Sequence, residues 1–258
     1  MPSRPVAPLW RWTLPLAVGA TMVGAWALAS ATDQFPRGTV PAPAAVARAF
    51  VTELRSGRLF DDVVASLYRV SVGFVIACAA AIPAGLALGR FAAARAAFLP
   101  WVNFFRTLSP IAWIPFAIIW FGIGDPPAIF LIFLATFFQV TLATLGASAG
   151  VPRVYYRVAA DLGLSGRQVL LEVTLPAILP QLLVALRVAI GVAWMVVVAA
   201  EMIAVRSGLG FLIIDARNAL RMDLVVVGMI TIGAIGIGLD ALFARLARAP
   251  MLRWGSER

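Results

Sequence analysis

Arg187 and Glu201 both fall in one long apolar stretch, about Pro176–Val205. Ionisable groups in such a stretch are costly in a bilayer and usually face a protein interior or a water-filled path. On one helix, fourteen residues give a rise of roughly 21 Å and an angular offset of about 40°. The two therefore share a side at two depths, too far apart to pair with each other, with Trp194 and Met195 between them. Either that side lines a path through the protein, or each residue pairs with another helix. Arg106 and Arg187 enter or line the bundle from the same side, which favours an anionic solute. Arg69 and Arg106 lie near the ends of apolar stretches, where a long side chain reaching for the interface explains them as well as function does. Asp240, near the end of the last stretch, reads as a structural partner or cap.

A second candidate is built from prolines. Pro100, Pro110 and Pro115 crowd one apolar stretch. Each removes a backbone donor and bends a helix, and the freed carbonyls are tolerated only where protein or cavity water meets them. Ser109–Pro115, with Trp113 inside it, is either part of a pathway or packing around a kink. Trp113 and Trp120 also suit an interfacial belt.

What must position these residues is a membrane bundle. The chain has 258 residues, 62% hydrophobic and 13% charged. A soluble domain carries roughly a quarter charged residues. Every basic residue is Arg, and Lys and His are absent. Without Lys there is no phosphate-binding loop of the Walker A type, and without His there is no His-based triad or ordinary zinc site. Any ATPase must therefore be another chain, and no covalent chemistry is expected here. Cys78 is the one cysteine, in an apolar run, and reads as a small packing residue. The arginines lie singly between apolar runs, which points to membrane topology and not to nucleic acid.

Six spans are expected, at about Leu9–Ala31, Val64–Gly89, Phe98–Phe121, Ala128–Gly150, Pro176–Val205 and Leu224–Phe243. The first is longer than the apolar core of a signal peptide and is read as a retained helix. With the amino terminus inside, inner segments hold eleven arginines (Arg4 and Arg11 among them) against three acids, and outer segments hold seven against seven. Arginine excess marks the cytoplasmic side, so both termini are expected there. In the outer segment, about 33–62, Pro36, Pro41 and Pro43 precede a run whose apolar residues (Val46, Ala49, Phe50, Leu54) predict an amphipathic helix over Ala44–Leu54.

The cytoplasmic segment, about 152–175, is the third candidate. Pro152 stops the fourth helix, and Val154–Leu162 predicts a short one. Gly163 suits the position past its end, where φ is often positive. Ser165 and Gln168 have the spacing of a capping box, and this second helix is expected to end near Leu175-Pro176. The small pair Ala159-Ala160 allows close approach by another backbone. The result is a knob, either a plain connector packed on its own bundle or a docking surface.

At these residues the chain resembles the permeases of binding-protein-dependent importers. Their cytoplasmic signature is Glu-Ala-Ala, three residues, Gly, nine residues, Ile-x-Leu-Pro. Here the register is Arg157-Val158-Ala159, then Gly163, then Val173-x-Leu175-Pro176, with Arg157 and Val158 replacing the first two positions. Ala65–Phe74, Ile118–Gly124, Ala193–Met202, Gly208-Leu-Gly210 and Asp240 look like the nitrate, sulfonate, taurine and bicarbonate subfamily.

The resemblance implies an all-α integral membrane protein, six transmembrane helices in a type I ABC importer permease-like bundle, over residues 1–258 as one domain. It implies a bacterial inner-membrane permease that works with a second copy of itself, two ATPase subunits and an extracytoplasmic solute-binding protein. ATP and magnesium would sit on the ATPase, and no cofactor is expected in this chain. Arg157, Val158, Ala159, Ala160, Asp161, Gly163, Ser165 and Pro176 are then the candidate ATPase-coupling residues. Arg106, Trp113, Pro115, Arg187, Trp194, Met195 and Glu201 are the candidate translocation path for nitrate, bicarbonate, taurine or another sulfonate. The rival is a channel or ion-coupled secondary transporter without an ATPase, which would need a coupling-ion site that the sparse membrane acids do not obviously supply.

Overall fold

The computed structural model describes residues 10–32 and 39–247. The expectations resting on Arg4, Pro36 and the two termini lie outside the described residues. Among these, every regular element is helical. Five helices are long and apolar enough to cross a membrane, or six if one bent pair counts as a span.

The residues gather into two compact units, with α3, α10 and α11 contributing to both. The smaller takes in α1 (Trp10–Ala31), α2 (Pro43–Ser56), the first residues of α3 (Arg58–Arg90), most of α10 (Leu209–Asn218) and the start of α11 (Met222–Ala247). Trp26 Nε1 donates to the Pro41 carbonyl at 3.0 Å, which ties α1 to the entry of α2. Arg58 pairs with Asp215 at 2.5 Å. The amphipathic α2 turns a different face inward from the one its apolar residues predict. Val46, Ala49 and Glu53 are buried at helical spacing, whereas Phe50 and Leu54 are exposed. Past the end of α10, the pKa of Arg221 is pushed above its ordinary value by its hydrogen bond to Asp223.

The larger unit holds the rest of α3, together with α4 (Ala92–Thr107), α5 (Ile114–Phe121), α6 (Asp125–Ala149), α7 (Arg153–Asp161), α9 (Leu175–Ala204) and the remainder of α11. Its centre is the pairing of α6 with α9, against which α5 packs. Ile114 and Ala117 of α5, Ala128 and Leu131 of α6, and Val196, Ala200 and Ala204 of α9 are all buried in one cluster. Small residues on α9 let the backbones approach, which is how helices pack where lipid removes the hydrophobic drive. The same device joins α3 to α6. A Cβ added at Gly73 would lie 2.8 Å from Ile132, and one at Gly85 would lie 2.6 Å from the Thr141 carbonyl. Trp194 anchors α11 by donating to the Ile232 carbonyl at 3.1 Å while its ring lies over Gly236.

Two expectations about spans are corrected. The third, read as one helix over about Phe98–Phe121, is broken. α4 and the stretch from Pro110 meet at 89°, with a 3-10 turn at Pro110–Trp113. Ser109 is extended, as a residue before proline tends to be, and Pro110 has no N–H with which to continue α4. The helix after the knob does not end at Pro176. It runs from α8 (Gly166–Gln168) through a π-helical stretch, Val169–Thr174, straight into α9. There the Leu175 N–H reaches back five residues to the Leu170 carbonyl. The wider turn carries the chain past Pro176 and Pro180 without a break.

Candidate functional site

The most elaborate polar site in the larger unit is one that sequence spacing does not announce. Its hub is Arg69, on α3. The Arg69 residue is only 2% exposed, so it does not snorkel to an interface. Nε donates to Asp125 Oδ1 at 2.8 Å, and Nη1 donates to Glu201 Oε1 at 2.7 Å. Nη1 also reaches the Ser207 carbonyl at 2.8 Å, and Nη2 reaches Ser207 Oγ at 2.6 Å. Glu201, fully buried near the end of α9, takes Ser66 Oγ at 2.8 Å and the Gly210 N–H at 3.0 Å on its other oxygen. The Leu209 N–H donates to Ser66 Oγ at 3.0 Å, and the Gly208 N–H to Asp62 Oδ1 at 2.7 Å.

One cluster thus holds the start of α6, the end of α9 and the turn from α9 to α10 against a single face of α3. Asp62, Ser66 and Arg69 follow one another at intervals of four and three, which puts them on that face. The glycines are required by the fit. Gly208 has φ of +101°, and a Cβ there would collide with the Glu201 carboxylate and lie 2.6 Å from Arg69 Nη1. A Cβ at Gly210 would press into the Val198 carbonyl. A buried charge pair is tolerated only when its remaining donors and acceptors are satisfied, and the turn supplies backbone groups for that purpose. Asp125 is half exposed and opens onto a cleft shared with Arg206 and Ser207.

The expected path residues divide. Arg106 and Trp113 line a cavity of about 260 Å³ with Phe105, Gln139 and Val192. Arg106 makes no ion pair among the described residues. Pro115 does not line this cavity; it sits in the first turn of α5, just after the 89° bend. Arg187 and Glu201 each pair with another helix. Arg187 holds both oxygens of Asp240 at 2.6 and 2.5 Å, and Glu201 belongs to the buried cluster. They do not present one continuous charged face, because Glu201 is sealed and Arg187 is 42% exposed. Trp194 is buried toward α11, and Met195 points outward at 73% exposure.

The segment over about 152–175 has the local chemistry its sequence predicts. Gly163 has φ of +70° with open space around it. The Ser165 hydroxyl accepts from the Gln168 N–H while the Gln168 side chain takes the Ser165 N–H, a reciprocal cap. The surface it offers differs from the expected one. Ala159 is 2% exposed and turned into the fold, so it cannot meet a partner directly. Exposed instead are Val154, Tyr155, Val158 and Leu162, flanked by Arg153, Arg157, Ala160 and Asp161. Tyr156 packs against Ala147, Val151 and Ile178 and fixes the base of α7 to the ends of α6 and α9. Pro176 lies half-buried in the first turn of α9.

Residues 80–250 match the family model described as binding-protein-dependent transport system inner membrane component. The chain is 40% identical over 229 residues to a probable ABC transporter permease protein of Brucella melitensis, covering 89% of this chain and 91% of that one. It is 34% identical over 252 residues to the taurine transport system permease protein TauC of Escherichia coli, covering 92% of each. It is 36% identical over 189 residues to the nitrate import permease protein NrtB of Leptolyngbya laminosa, covering 73% of this chain and 68% of that one. Among solved structures, a chain of the inward-facing MetNI methionine ABC transporter has the same fold, with a TM-score of 0.60 at 20% identity, covering 76% of this chain and 99% of that one.

Proposed function

The chain belongs to the family of binding-protein-dependent transport system inner membrane components, and from that premise we propose that it conducts a small anion, a sulfonate or an inorganic oxyanion. It is an ABC importer permease with a type I fold. The observation that carries the anion reading is Arg106. An arginine without a carboxylate partner among the described residues, beside Gln139 and Trp113 in a cavity between the helices, offers donors in a fork that suits planar oxyanions and sulfonates. The printed functions of the taurine and nitrate relatives support the same class.

In this reading two copies form the path, and both termini lie in the cytoplasm with the α7–α8 segment. That segment meets a separate ATPase through the ridge of Val154, Val158 and Leu162. A solute-binding protein delivers the anion from outside, ATP and magnesium act on the ATPase, and this chain supplies the path and transmits the stroke. Family membership favours this over an ion-coupled carrier working alone.

The test is uptake of labelled taurine, ethanesulfonate, nitrate and bicarbonate into proteoliposomes holding the permease with the ATPase and binding protein encoded beside it. Wild-type uptake of at least one of these should depend on ATP. Arg106→Gln should lower that uptake about tenfold or more while the complex still assembles, the loss expected when a charge-assisted contact worth roughly 1.5–3 kcal/mol is removed. ATP-driven uptake of a neutral solute instead of these four would overturn the reading.

A further inference from the structure

A half-exposed ion pair between two helices that are each apolar enough to cross a membrane needs something polar in front of it, and Arg187–Asp240 is such a pair. Arg187 lies in the continuous helix Gly166–Ala204, and Asp240 in Met222–Leu246; both are apolar enough to cross a membrane. Their side chains are 42% and 54% exposed. Hydrocarbon is a poor neighbour for that charge. The exposed positions of α9, Gln181, Val184, Arg187, Val188, Gly191, Met195 and Ile203, lie on one side of the helix. A side that carries Gln181 at its start and Arg187 and Gly191 further along suits a water-filled path better than lipid.

The geometry of the pair is that of a ligand site already filled. Arg187 Nε and Nη2 each hold one oxygen of the same carboxylate, at 2.6 and 2.5 Å. A sulfonate, nitrate or bicarbonate presents two acceptor oxygens to the same fork. The contrast with Arg69 is physical. Arg69 is enclosed, with Nε, Nη1 and Nη2 all engaged, and nothing can replace its buried partner Glu201 without opening the fold. Asp240 can swing away from Arg187 with little unpacking, because both side chains are about half exposed.

We infer that Asp240 is a built-in place-holder, a carboxylate that occupies the anion site of Arg187 between passages and that the transported anion displaces. This rests on the anion reading above and deepens it. Arg187 is then a second way-station after Arg106, and it is never left bare. When the anion arrives, one pair of N–H···O bonds is exchanged for another; when it leaves, Asp240 returns and closes the site behind it. A site held by its own competitor binds its ligand more weakly by the fraction of time it is open, which favours release over retention.

The test uses the full complex in proteoliposomes, with the probe being whichever of taurine, ethanesulfonate, nitrate or bicarbonate the wild type moves. Asp240→Asn should lower the half-saturating concentration and also lower the maximal rate, because the anion now lingers on Arg187; a shift of about tenfold is expected for a competitor that holds the site nine-tenths of the time. Asp240→Glu should restore wild-type values, and Arg187→Gln should raise half-saturation. The inference fails if Asp240→Asn behaves like Arg187→Gln, which would make the pair a plain strut. It fails equally if Asp240→Asn breaks the complex into single permease chains, which would place the pair between copies. It also fails if Asp240→Asn matches the wild type. All three leave the anion reading standing, whereas a wild type that moves only neutral solutes removes both.

Discussion

The two ends of α9 are opposites. At the carboxy end Glu201 is sealed, and both of its oxygens are hydrogen-bonded to α3 or to the turn that follows. At the amino end the helix loosens into a π-helical stretch and continues into a segment that leaves Val158 half exposed and Leu162 at 72%. The Arg187–Asp240 pair lies between, covered on one side only. One helix is thus fixed rigidly at one end, half open in the middle and, in the function proposed above, offered to the ATPase at the other end. In the proposed orientation the fixed end is outer and the offered end is cytoplasmic. A helix so built can carry a displacement from the ATPase side toward the path, because the point it turns about is the sealed cluster.

The largest expected effect is at the sealed end. Arg69→Met leaves Glu201 a buried charge without its partner and should cost about 3–5 kcal/mol of stability, and Glu201→Leu, which leaves Arg69 with Asp125 alone, should cost somewhat less. The measurement is thermal unfolding of the purified permease in detergent. The double variant should recover part of that loss, since no uncompensated ion pair remains. If either single variant melts like the wild type, the cluster is not the fixed point.

Next comes Gly208→Ala, which keeps every charge and adds one methyl group. The positive φ and the collision with Glu201 together should cost about 2 kcal/mol or more. A smaller loss would mean that the turn gives way easily, which would weaken the contrast between the two ends.

The smallest effect on stability is expected at the offered end. Leu162→Arg and Val158→Arg should leave the melting temperature of the isolated permease unchanged, because both side chains are exposed. They should weaken co-purification of the ATPase by more than about 1 kcal/mol each, as for central contacts of an interface. Wild-type assembly and binding-protein-stimulated hydrolysis in both variants would show that the ridge is not a docking surface. Ala159→Arg is a poorer probe, since Ala159 is buried and its replacement would disturb the permease itself.

The legible part of the molecule was local. Apolar length marks the spans, glycine spacing marks the αL position at Gly163, and Ser165 with Gln168 marks the cap, because each signal acts within a few residues of itself. The break near Ser109–Pro115 was legible as a candidate kink but not as a turn of 89°, since prolines say where a helix yields and not how far. Pro176 misled in the other direction: proline predicts a stop, and a change of helical register absorbed it. The Arg69 cluster was illegible because its members are scattered. Three of the stretches that carry the family resemblance, around Ser66 and Arg69, around Glu201 and around Gly208 and Gly210, converge there, while Arg69 by itself looks like any arginine near the end of a span. Ala159 was misread because a small residue permits close approach from either side, and its own fold takes that place.

The distance between Arg69 and Glu201 along the chain has a consequence for biogenesis. They are 132 residues apart. At about 5–20 residues per second of synthesis, Arg69 emerges roughly 7–26 s before Glu201 exists. Throughout that interval it belongs to a helix already apolar enough to enter the bilayer. Its place eleven residues into α3 keeps it within reach of the headgroups while it waits. Arg69 is thus made long before Glu201, and the arrival of Glu201 completes the cluster that fixes the start of α3.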